Sequence, residues 1–63
     1  MPDFYELTKT DKDGVYCRVR FFDTFMSHLR EYDGGHDLSV KNYSLIGVSK
    51  EALISEYQEL GYE

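Results

Sequence analysis

Cysteine, proline and tryptophan are almost missing from this sequence, with one Cys, one Pro and no Trp in 63 residues. A lone Cys17 excludes an intrachain disulfide, so any core here lacks a covalent staple and a reducing, cytoplasmic compartment is expected. Long apolar runs are lacking too, and none approaches the ~20 residues a membrane-spanning helix needs, so no membrane partner is expected. The opening residues, Met1-Pro2-Asp3-Phe4-Tyr5-Glu6, are polar and acidic and carry no basic-then-apolar leader. Without a secretory signal, the glycosylation acceptor pattern Asn42-Tyr43-Ser44 reads as chance. Positive charge is scarce, with seven Lys+Arg against twelve Asp+Glu and a net charge of −5. Length excludes a repeat array or a second domain: a chain of this size buries only about 60% of its unfolded surface, so residues 1–63 are expected to form one domain.

What is present is patterned. A 41% apolar share is that of a folding chain, not a disordered one. Phe4 to Thr8 reads as a strand, Asp13-Gly14 as a hairpin turn, and Val15 to Phe22 as a second strand. In the second strand Val15, Cys17, Val19 and Phe21 alternate with Tyr16, Arg18, Arg20 and Phe22, giving an apolar face and an aromatic-basic face. Phe22, Phe25, Met26, Leu29 and Tyr32 then fall on one helical stripe, with Asp23 or Thr24 as N-cap and Gly34-Gly35 as the stop. Leu38 to Val48 suggests a third strand centred on Tyr43 to Ile46. Ser49 caps a second helix with Glu51 in its first turn, an inward stripe of Leu53, Tyr57 and Leu60, and Gly61 as C-cap.

The expected fold is therefore α+β in the order β-β-α-β-α, a three-stranded, largely antiparallel sheet with two helices on one face. Its core would be Leu7, Val15, Cys17, Val19, Phe21, Phe25, Met26, Leu29, Leu45, Leu53, Tyr57 and Leu60. The opposite sheet face, with Tyr16, Arg18 and Arg20, would be left to solvent or to a partner.

Catalytic and metal chemistry find little support. Asp11-Lys12-Asp13-Gly14 opens like a calcium loop, but Phe22 stands where the bidentate Glu should be. Cys17, His28 and His36 are scattered and lack the close ligand pairs of a zinc site. Cys17 alternates with Val15 and Val19, which makes it a small buried hydrophobe before a nucleophile. Gly34-Gly35 has neither the spacing nor the position of a phosphate loop. No catalytic residue, metal site or cofactor is expected.

Two surfaces remain. Tyr16, Arg18 and Arg20 on an open sheet face have the make-up of single-strand nucleic-acid binders, though two arginines are a weak footprint at net −5, and salt bridging to Glu6 or to a helix carboxylate is the simpler reading. Carboxylates are spread along the chain, with Glu56, Glu59 and Glu63 at i, i+3 and i+7 on one exposed stripe and Glu31, Asp33 and Asp37 in the middle. Such a set serves solubility or presents an anionic surface to a basic groove.

In size, acidity, aromatic share and lone cysteine the chain resembles the small inhibitors made by bacteriophages, the anti-CRISPR proteins that imitate nucleic acid in charge among them. The dispersed carboxylates are the only residues that carry the likeness. It implies a non-enzymatic inhibitor occupying a basic nucleic-acid-binding protein, with a CRISPR effector as the example, in a bacterial host cell, as a monomer or weak dimer and without direct nucleic-acid binding. The alternative is a small nucleic-acid-binding or regulatory module using Tyr16, Arg18 and Arg20, and a third reading is an adaptor or immunity-type protein.

Overall fold

Asp11 organises the first turn. Its side-chain Oδ1 accepts from the amides of Asp13 at 2.9 Å and Val15 at 3.1 Å, while its carbonyl accepts from Gly14 at 3.0 Å. Gly14 has φ +81°, a left-handed conformation that glycine adopts without a Cβ penalty. This turn joins β1 (Tyr5–Thr10) to β2 (Tyr16–Phe21), the hairpin expected from Asp13-Gly14. The computed structural model describes residues 3–32 and 37–63. After β2 come β3 (Phe25–Tyr32), β4 (Asp37–Ser44) and one helix, α1 (Lys50–Glu59). The strands form one antiparallel sheet in the order β1-β2-β3-β4.

This corrects the expected architecture: the sheet has four strands, with one helix after it. Phe25–Tyr32, placed on a helix by the stripe Phe22, Phe25, Met26, Leu29 and Tyr32, is strand β3, paired on both sides. Asp23 and Thr24 are the hairpin turn into it, closed by the Phe22 amide donating to the Phe25 carbonyl at 2.8 Å. The segment is poor in helix formers: Phe25, Ser27, His28 and Tyr32 all lose side-chain freedom or compete with the backbone in a helix. A helix of that length is marginal without tertiary support, whereas two flanking strands satisfy every backbone group of a central strand. The third expected strand also shifts. Pairing with β3 covers Asp37–Ser44, and Leu45–Val48 instead forms a turn in which the Val48 amide donates to the Leu45 carbonyl and Gly47 has φ +78°. The expected stop at Gly34-Gly35 lies outside the described residues.

Helix α1 forms as its sequence dictates. Ser49 is extended and its Oγ accepts from the Ala52 amide at 3.3 Å, and Glu51 stands in the first turn. Leu53, Ile54 and Tyr57 pack partly against a core of Leu7, Cys17, Val19, Phe21, Met26, Leu45 and Tyr62. Tyr57 meets Phe21 and Tyr62 edge-on, with ring centroids 5.8 and 5.1 Å apart. Gly61, at φ +102°, turns the chain back across the sheet. Tyr62 is thereby buried, and Glu63 exchanges two main-chain hydrogen bonds of 2.9 Å with Thr8 on the outer edge of β1. Among the expected core residues, Phe25 and Leu29 face away from the helix and Leu60 is 61% exposed. Among the described residues no helix is long and apolar enough to cross a membrane.

Candidate functional site: the uncovered sheet face

Strand alternation divides the sheet into two lattices. Toward the helix lie the rows Tyr5–Phe21–Met26–Tyr43, Leu7–Val19–His28–Lys41 and Lys9–Cys17–Arg30–Ser39. On the other face lie Glu6–Arg20–Ser27–Asn42, Thr8–Arg18–Leu29–Val40 and Thr10–Tyr16–Glu31–Leu38. No described element covers this second face.

Its upper end is an aromatic ladder. Phe22 stacks on Phe25, with centroids 4.4 Å apart and planes 13° apart, and Phe4 lies tilted against Phe22 at 5.3 Å. The Arg20 guanidinium sits 4.6 Å from the Phe4 centroid and donates to Glu6 Oε1 at 2.7 Å. Arg18 approaches the same oxygen at 4.0 Å. One carboxylate thus engages both arginines. Glu31 adds a second carboxylate, so Glu6 and Glu31 offset Arg18 and Arg20 and the face is close to neutral. Its lower half is apolar, with Tyr16 and Leu29 half-buried and Leu38 and Val40 exposed at 55% and 54%.

Tyr16, Arg18 and Arg20 therefore share the open face, as their alternation implies. The acidic candidates do not converge. Glu56 and Glu59 are exposed on α1, beside a shallow groove of about 410 Å³ lined also by Leu53, Tyr57 and Leu60. Glu63 lies outside the helix, because Gly61 has ended the i, i+3, i+7 stripe. Glu31 is on the opposite side of the sheet from α1, Asp37 begins β4, and Asp33 lies outside the described residues. Asp11 and Asp13 stand at one end of the sheet and Asp23 at the other.

Chemistry that needs converging ligands is not assembled here. Among the described residues no three His, Cys, Asp or Glu side chains form a group that could hold a metal ion, and His36 falls outside them. Cys17 is buried among the core residues. His28 is half-buried on the helix side of β3, where burial first, then Arg30 and Lys41, hold its pKa below the ordinary 6.5. Tyr62 is pushed up to about 12, first by burial and then by the neighbouring Cys17 thiol. The apolar content of the face was hidden from sequence reasoning, because Phe25 and Leu29 were assigned to a helix. No local period marks it, because Phe25, Ser27, Leu29 and Glu31, which share that face, are apolar and polar in turn.

No family model matches the chain, and no curated protein or solved structure is significantly similar to it.

Proposed function

We propose that this chain is a non-enzymatic protein-binding module that docks the uncovered face of its sheet on a positively charged protein surface, such as that of a nucleic-acid-binding protein, and inhibits it by occupation. The observation that carries this reading is the make-up of that face: near-neutral, with aromatic rings at one end and aliphatic side chains toward the other, on a molecule of net charge −5. Aromatic residues and arginine are enriched at the buried centres of protein interfaces, where charged pairs are few. The carboxylates at both ends of the sheet and on α1 act at longer range, steering the approach to a basic partner and repelling phosphate. The hydrogen bond from Arg20 to Glu6, with Arg18 near the same oxygen, speaks against direct nucleic-acid binding, since a phosphate there would meet the Glu6 carboxylate.

The test has two arms. In a gel-shift titration with labelled single-stranded and duplex DNA, the parent protein is expected to give no shift, and tight binding would replace this reading with the stacking module built on Tyr16, Arg18 and Arg20. In the second arm the parent and a Leu29→Ser variant serve as baits in host lysate, and captured proteins are identified by mass spectrometry. A basic protein retained by the parent, lost with Leu29→Ser and weakened by added salt supports the reading. Capture that is indifferent to Leu29 overturns it.

A further inference from the structure

The two edges of the sheet are treated differently. The outer edge of β1 is closed at Thr8 by the main chain of Glu63. The outer edge of β4 has no neighbour among the described residues, although β4 spans eight residues with no proline or glycine and an unbroken register against β3. Edges of this length and composition are templates for further pairing unless charges, bulges or proline blunt them, and Lys41 is the one basic residue in β4. Both exposed aliphatic side chains of the strand, Leu38 and Val40, lie on the uncovered face.

We infer that β4 is a dimerisation strand, pairing antiparallel with β4 of a second copy across a two-fold axis at Ser39 to make one continuous sheet. The register follows from what each alternative opposes. With Ser39 on the axis, Leu38 of each copy faces Val40 of the other, so two aliphatic cross-strand pairs form on the uncovered face. With Val40 on the axis, Leu38 faces Asn42. With Lys41 on the axis, two ammonium groups meet. Self-complementarity points to a second copy as the occupant, since the Leu38–Val40 pairs are formed by this strand with itself. Domains this small draw on disulfides, metals or oligomerisation to supplement the core, Cys17 has no intrachain partner, and the buried core among the described residues is seven side chains. Joining two sheets at this edge also doubles the uncovered face without covering Tyr16, Arg18 or Leu29.

Sedimentation velocity across a concentration series is the first test, and the expected result is a shift from 7.4 kDa to twice that mass. Added salt should favour the dimer, because it screens repulsion between two chains of net charge −5, the opposite of its effect on a basic partner. Ser39→Glu gives the monomer a cross-strand partner for Arg30, keeping the fold, but sets like charges across the axis; it is expected to stay monomeric with an unchanged circular dichroism spectrum. Ser39→Cys places two thiols on the axis, at a strand separation compatible with a disulfide. With oxidised glutathione it should cross-link several-fold faster than an Asn42→Cys control, and buried Cys17 should take no part. A parent that is monomeric at every concentration, a Ser39→Glu variant that still dimerises, or equal cross-linking of the two cysteine variants overturns the inference. Leu29 lies away from the axis, so the bait experiment and this one fail separately.

Discussion

The hydroxyl of Tyr62 lies 3.5 Å from Nε2 of His28, joining the segment after α1 to the central strand β3. The same imidazole is tilted against Tyr57, with centroids 6.4 Å apart, and faces Lys41 across the strand pair. Partial burial first, and then the positive charges of Arg30 and Lys41, favour the neutral ring, which is why its pKa is lowered.

Stability should therefore fall on mild acidification. Below the ordinary value of 6.5 the unfolded chain binds a proton at His28 that the folded chain resists, and the effect levels off below the folded pKa. Urea melts of the parent and His28→Gln, at neutral pH and at about pH 5.5 within the range where histidine titrates, are expected to show a smaller loss in the variant. Equal losses would show that carboxylates alone set the acid response.

Tyr62 predicts the alkaline limb. Its pKa is raised from 10 to about 12, so its contribution is intact below 10 and is lost as the unfolded chain ionises between those values. Tyr62→Phe loses the hydroxyl contact yet should retain more of its neutral-pH stability above pH 10 than the parent, as read by thermal melts.

Core and rim leucines and aromatics should separate sharply. Phe21 is 1% exposed and spans the contact with Tyr57, so Phe21→Ala should cost ~3–5 kcal/mol, most of the stability of a domain this size. Leu60, 61% exposed, should tolerate Ala within about 0.5 kcal/mol. Chemical denaturation of both variants checks the assignment of the two positions.

Gly61→Ala tests the backbone. At φ +102° a Cβ is strained whatever the space, and the nearest atom it would meet is the flexible Lys9 Cε at 3.8 Å. The expected cost is about 1–2 kcal/mol from the left-handed conformation alone. A matching loss with Lys9→Ala, which removes the bond from Nζ to the Leu60 carbonyl, would point to packing instead.

Legibility in the sequence followed how far each signal excluded its rival. Val15 to Phe22 alternates without ambiguity, and Ser49 with Glu51 marks a helix start, so β2 and α1 stand close to their expected limits. Phe25–Tyr32 carries its apolar residues at helical spacing, and Met26 and Leu29, neighbours on a helix, belong to opposite faces of the strand. Tertiary pairing decided for the strand, and pairing partners are not a local property. Asp23-Thr24 was ambiguous for the same reason, being as apt for a hairpin turn as for an N-cap. At the site, Tyr16, Arg18 and Arg20 were legible because one strand carries all three. Tyr62 was not, because its burial depends on Gly61 folding the chain back over Cys17 and His28.

The Thr8–Glu63 clasp also governs the order in which this chain can fold. Neighbouring strands of the sheet are sequential hairpins, and such local contacts form quickly as a chain emerges from the ribosome. Closing residue 63 onto residue 8 spans nearly the whole length, so it belongs to the last stage, after α1 has docked. Substitutions at the clasp should accelerate unfolding while leaving the folding rate almost unchanged, a low φ-value at Thr8 beside higher ones in the β2–β3 hairpin.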